Sequence, residues 1–127
     1  MDVEIRALES KTIIEATNTG DEIHFRCSDG SAYRMYHSQD CCESVSVEDI
    51  IGDLSDLYGS PILEAREETS NKNPDGITKE NQDSFTWTFY VIRTIHATVT
   101  IRFYGESNGY YSESVDIEEI AASGVIQ

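Results

Sequence analysis

Apolar and polar residues alternate along much of the chain. Ile23, Phe25 and Cys27 are separated by His24 and Arg26, the period of a strand with one buried face. In the next run, Ala32 to His37, the residues Tyr33, Met35 and His37 share a face. The intervening Ser28-Asp29-Gly30 decides the register. A two-residue Asp-Gly turn would set Phe25 opposite Arg34, whereas a three-residue loop pairs Phe25 with Tyr33 and Ile23 with Met35. The pattern therefore predicts a bulged hairpin with Gly30 in the left-handed conformation. Thr12-Ile13-Ile14-Glu15 is a shorter, β-branched strand ahead of it. The stretch Phe85 to Ile92 is the strongest strand signal, and its closeness to Thr98 predicts a second hairpin turning around Arg93 to His96. Trp87 and the aromatics beside it read as core. Val99, Ile101 and Phe103 alternate with Thr98, Thr100, Arg102 and Tyr104 before Ser107-Asn108-Gly109. By the same turn logic a third hairpin would pair Ile101 with Val115 and Val99 with Ile117.

One segment has a longer period. Val47, Ile50, Ile51, Leu54, Leu57 and Tyr58 fall on one stripe at helical spacing. Ser46 is placed as an N-cap with Asp49 three residues on, and Gly59 with Pro61 supplies a stop. Gly52 in the interior would cost about 1 kcal/mol against Ala. Residues 70 to 83, which include Asn73-Pro74-Asp75-Gly76, are polar and read as a long loop. The expected architecture is one domain over residues 1–127, α+β, a mostly antiparallel sheet built from hairpins with one α-helix packed on it.

Composition changes the picture mainly through charge. Nine Lys and Arg against 24 Asp and Glu give a net charge of −15, which opposes binding to nucleic acid or an anionic membrane and favours a basic partner. Apolar residues at 39% and aromatics at 9% exceed what a disordered acidic tail carries, so the charge sits on a folded body. No apolar run approaches the 18 or so residues of a membrane span, and the start has no signal-peptide pattern. A soluble, intracellular protein is expected. The three cysteines, two of them adjacent at Cys41-Cys42, lack framework spacing and suit a reducing compartment.

Three groups of residues are candidates for chemistry. On the predicted helix Asp49, Asp53 and Asp56 lie within about 60° of one another, opposite the apolar stripe. With Asp40, Glu43 and Glu48 they form the expected partner-binding surface, in a stretch from Gln39 to Glu68 where nine acids face the single Arg66. Such a surface can imitate spaced phosphates. The second group is His37-Ser38-Gln39-Asp40-Cys41-Cys42-Glu43. Adjacent cysteines point apart in extended chain and lack metal-ligand spacing, so no metal is expected. A cysteine nucleophile with His37 as base and Asp40 as orienter is the catalytic alternative to cysteines buried beneath the helix start. The third group is Arg102, Tyr104, Ser112, Ser114 and Asp116, placed on one face with Asn108, Tyr110 and Tyr111 nearby. These residues would grip a small anionic ligand with a stacking ring, or simply form an exposed face with an Arg102 to Asp116 pair. His24 and His96 read as solvent-facing. The chain has no P-loop, Gly-x-Ser-x-Gly, His-Glu-x-x-His or dinucleotide fingerprint, so a non-enzymatic protein without a cofactor is expected.

Several strings add a resemblance. Asp40-Cys41-Cys42-Glu43-Ser44-Val45, Glu48-Asp49-Ile50 with Gly52-Asp53-Leu54, Gly59-Ser60-Pro61-Ile62, Ser84 to Tyr90 and Tyr104 to Glu113 resemble an uncharacterised family of small bacteriophage and prophage proteins, over roughly Gly20 to Glu119. The resemblance implies a phage origin and hence a bacterial host cytoplasm. With the acidity, it leads to the expectation of a protein that binds and inhibits a basic host protein, a defence nuclease or its nucleic-acid channel, in the manner of anti-CRISPR or anti-restriction factors. The alternative is a nucleotide-sequestering protein using Arg102, Tyr104, Asn108, Tyr110 and Tyr111.

Overall fold

The computed structural model describes residues 2–79 and 82–120. Eight strands form two four-stranded sheets: β1 (Ile13–Asn18), β2 (Ile23–Cys27), β3 (Ala32–Tyr36), β4 (Ser44–Ile51), β5 (Glu64–Ser70), β6 (Ser84–Arg93), β7 (Thr98–Ser107) and β8 (Asp116–Ile120). The first sheet has the order β1-β2-β3-β8 and the second β4-β7-β6-β5, with every pairing antiparallel. Residues at period-2 spacing supply the facing sides. Ile13, Ile23, Phe25, Tyr33, Met35 and Ile117 of the first sheet share one buried cluster with Val45, Ala65, Tyr90, Ile92, Val99, Ile101 and Phe103 of the second. The fold is therefore a β-sandwich closed over a single core. Two 3-10 turns, Ile5–Leu8 and Leu54–Leu57, add Ile5, Leu8, Leu54 and Leu57 to that core.

The first expected hairpin forms in the expected register, and the second turns where expected, after Arg93. Phe25 lies opposite Tyr33 and Ile23 opposite Met35, with Gly30 at φ 89°, and Ile92 lies opposite Val99 with Arg93 opposite Thr98.

The predicted α-helix is absent, and the fold class is corrected with it: no α-helix is present among the described residues. The helical spacing is a composite of two other periods. In β4 the partners step from Val47 opposite Phe103 to Asp49 opposite Arg102, which makes Glu48 the extra residue of a bulge. The bulge turns the alternation Val45, Val47 into a three-residue step to Ile50, which mimics a helical interval. Gly52, at φ 100°, then ends the strand in a conformation that costs a side chain dearly. Leu54 and Leu57 are three apart because they belong to a 3-10 turn, whose period is three.

The third expected hairpin is also corrected. β7 has β4 on one side and β6 on the other, so no ladder position is left for Val115 or Ile117. After Ser107 the chain crosses to the first sheet, where Ile117 lies opposite Met35. Trp87 is fully buried, but its side chain leaves the opposite face of β6 from Tyr90 and Ile92 and takes no part in the shared core. Residues of the segment after β5 approach it instead, with Asn73 Oδ1 accepting from the indole N–H at 3.0 Å and Lys79 5.9 Å from the ring.

Candidate functional site

Without the helix, the expected ridge of carboxylates is spread along a bulged strand and a turn. Glu48 and Asp49 sit together on β4 because of the bulge, and both are engaged by Arg102, Glu48 at 2.8 Å and Asp49 at 3.6 Å. Asp53 caps the second 3-10 turn, accepting from the Ser55 N–H at 3.0 Å and from its hydroxyl at 2.8 Å; these bonds hold its carboxyl below the usual range. Asp56 is exposed within that turn and Asp40 is exposed on the loop after β3.

Glu43 is a structural group rather than a surface acid. Its side chain is buried, and it accepts from the backbone N–H groups of Asp40 and Cys41, both at 2.9 Å. His37 Nε2 lies 2.6 Å from its second oxygen, and the other ring nitrogen lies 2.6 Å from the Ser114 carbonyl. Contact with His37 outweighs the burial that opposes it, and with the two amides holds the Glu43 carboxyl down at about 2. Both imidazole nitrogens are thus spent on tying the loop to the segment before β8, and neither faces a cysteine sulfur. Cys41 and Cys42 are exposed, not buried, and their sulfurs are joined at 2.09 Å. The pairing of a free thiol with His37 that a cysteine nucleophile needs is not formed. Among the described residues, no three His, Cys, Asp or Glu side chains are grouped to hold a metal ion.

The Arg and Tyr cluster does not converge either. Arg102 and Tyr104 leave the outer face of the second sheet, and the Arg102 guanidinium sits over the Trp87 ring at 5.4 Å while bonding Glu48 twice. The Tyr104 hydroxyl donates to Glu106 and accepts from Gln82, each at 2.5 Å, and Lys79 lies 4.5 Å above its ring. Burial first, then Glu106, pushes this phenol up to about 12. Asp116 is a β8 residue in the other sheet, where its carboxylate accepts from the Ser38 N–H, so the suggested Arg102 to Asp116 cross-strand pair does not form. Asn108 accepts from the Tyr110 N–H, and Tyr110, 81% exposed, meets Tyr111 edge-on at 5.0 Å. The polar groups of Arg102 and Tyr104 are thus taken up by Glu48, Glu106 and Gln82 rather than directed together at one point.

A different feature emerges where the sandwich is open. A cleft of about 660 Å3 lies between the start of β5, the N-terminal residues and the entry to β8. Its lining carries Asp2, Glu4, Glu9, Glu64, Glu67 and Asp116 against Arg6 and Arg66. A second hollow of about 280 Å3, lined by Glu67, Thr69, Thr86, Thr88 and residues 112 to 115, shares Glu67 and Val115 with it. The two form one groove alongside β5. Glu67 stands at their junction and accepts from the Tyr90 hydroxyl at 2.5 Å. Sequence reasoning counted Glu64, Glu67 and Glu68 in the acidic stretch but had no means of facing them with Asp2, Glu4, Glu9 and Asp116. That meeting needs the crossover from β7 to β8.

Cations elsewhere are held by the chain's own acids. Lys11 pairs with Asp29, Arg26 with Glu15, Arg34 with Glu22 and Glu118, Arg66 with Glu64 and Glu68, Arg93 with Glu64, and Arg102 with Glu48. Six of the nine basic side chains are thereby committed, which leaves Arg6, Lys72 and Lys79 against a large excess of carboxylates.

Fold and site define an antiparallel β-sandwich with an acidic surface and a groove open along one edge strand. The protein belongs to the family described as Domain of unknown function (DUF7448), whose model matches residues 6–117. Neither the curated proteins nor the solved structures contain a match to the chain. Among the described residues no helix is long and apolar enough to cross a membrane.

Proposed function

We propose that this protein is a non-enzymatic binding protein whose partner is a basic protein of a bacterial host, and that binding blocks the partner's nucleic-acid-handling surface. The observation that carries the reading is the disposition of charge: −15 overall, with six of nine cations committed to internal ion pairs. A phosphate-bearing ligand meets few uncommitted cations, whereas a Lys- or Arg-rich surface meets a large excess of carboxylates. The motif resemblance to small phage proteins supports a phage or prophage origin and a counter-defence role of the anti-CRISPR or anti-restriction kind, acting in the host cytoplasm. Nucleotide sequestration around Arg102 is the weaker reading, because Glu48 already occupies its guanidinium in two hydrogen bonds.

The test is affinity capture from bacterial lysate at low and high salt, followed by a nucleic-acid-binding assay of the recovered protein with and without this chain. One basic nucleic-acid-binding protein, recovered only at low salt and inhibited in that assay, is the expected result. An acidic or neutral partner held equally at both salt concentrations would overturn the proposal.

A further inference from the structure

The groove beside β5 has a property that an acidic surface alone does not have: it adjoins an unpaired sheet edge. β5 is the last strand of the order β4-β7-β6-β5. The Ala65 N–H points away from β6, since it donates to Glu9 at 3.1 Å. Amides alternate along a strand, so the Glu67 and Thr69 N–H groups point the same way, out from the free edge beside the groove. Glu9 meets the edge at Ala65, and from Arg66 to Ser70 the edge has no neighbouring strand among the described residues.

The charges settle what can use that edge. A second copy would lay Glu-rich β5 against Glu-rich β5, so self-pairing is opposed, the usual guard of an edge strand. A cationic strand meets the reverse. Its backbone would pair with Glu67 and Thr69, while alternate Lys or Arg side chains would enter the cleft toward Glu67, Glu4 and Asp116. The cleft lies within the 300 to 1,000 Å3 or so of ordinary ligand pockets, and Glu67 links it to the smaller hollow that continues along the strand.

We infer that the edge of β5 between Arg66 and Ser70 binds an extended, lysine- or arginine-bearing segment of the partner as an added antiparallel strand. The inference rests on the proposed function for its basic partner and adds the place and the backbone mode of recognition.

The experiment uses the full chain and a fluorescent ten-residue peptide of alternating Val and Lys. A second peptide carries the same sequence and charge with N-methyl groups on the amides of one edge. A third has Glu in place of Lys. Binding is read by anisotropy, and the Glu67 and Thr69 amides by NMR. The Lys peptide should bind and shift those two amides, and the Glu peptide should not bind. The methylated peptide should bind at least tenfold more weakly, each lost backbone hydrogen bond being worth about fivefold. In the protein, Thr69→Pro removes one outward N–H from an edge position that tolerates proline, and should weaken the Lys peptide while leaving the circular dichroism spectrum unchanged; Thr69→Val, which keeps the N–H, should bind as the parent does. Equal binding of the methylated and unmethylated peptides would overturn strand addition yet leave a basic partner standing. Lack of binding by any peptide would overturn the edge site, while the lysate capture tests the wider reading independently.

Discussion

Gly105 lies where the crossover to the first sheet runs against β7, and replacing it with Ala tests how that crossover is held. An added Cβ would stand 2.8 Å from the Glu113 carbonyl oxygen, 3.0 Å from Val45 Cγ2 and 3.1 Å from Glu113 Cβ. The nearest of these is backbone, so the strand cannot relieve the clash by a rotamer change, and the crossover must lift. Lifting it pulls Glu113 from Thr86 Oγ1 at 2.8 Å and Ser107 Oγ at 2.5 Å. Burial opposes ionisation at Glu113 and is outweighed by these hydroxyls and that of Ser84, which keep its carboxyl below the ordinary range. Overpacking costs about 1 to 3 kcal/mol, and weakening partly exposed hydrogen bonds to a carboxylate about 1 more, so a loss of about 2 to 4 kcal/mol is expected. Urea denaturation followed by far-UV circular dichroism measures it. In a Glu113→Ala background the hydrogen bonds are already gone, so the same Gly105→Ala change should cost about 1 kcal/mol less. A change below about 0.5 kcal/mol for Gly105→Ala alone would refute the close approach.

Three further outcomes follow from other sites. Asn73→Ala leaves the buried Trp87 indole N–H without its acceptor and should cost about 1 to 3 kcal/mol; because the chain has one Trp, its emission should move to the red, and unchanged emission would speak against the cover over Trp87. Phe103→Ala empties a core position that is 1% exposed and packed edge-on against Tyr90 at 6.0 Å, with an expected loss of about 3 to 5 kcal/mol in the same denaturation assay. Glu43 has a folded value of about 2, below its ordinary 4.5, so its contribution is complete above the ordinary value and is lost as pH falls from there through about 2. Urea midpoints measured from pH 6 to pH 2 should therefore fall less steeply for Glu43→Gln than for the parent, and parallel curves would refute the linkage.

Local alternation carried the strand content well; the hairpin at Ser28-Asp29-Gly30 was legible to the residue, and the one after Arg93 was legible in its place. What failed is what alternation cannot encode. A bulge changes the period by one residue at one place, so Val47 and Ile50 copied a helical interval although Glu48 merely steps out of the ladder. Strand partnership is equally hidden: Ile101 and Ile117 have matching patterns, but the first is enclosed by β4 and β6 and the second belongs beside Met35. The site suffered from both errors. Asp49, Asp53 and Asp56 lost the helix that aligned them, and the groove joins residues as far apart as Glu4, Glu67 and Asp116.

The net charge takes on a different meaning once these partnerships are known. A sandwich of two open sheets has four edge strands, and each must be protected from pairing with other chains. Residues Asp2 and Val3 bridge to the edge at β8, the Tyr58 hydroxyl bonds the Ala16 N–H of β1, and Gly20 accepts from Val47 of β4. Among the described residues, the distal half of β5 has no such contact and is guarded by charge. Carboxylates repel a like-charged copy at a range set by the Debye length, about 8 Å in physiological salt, and attract a cationic strand over the same distance. On the proposed reading, the acidity that opposes self-pairing at this edge would also select its partner, and both effects should weaken together as salt is raised.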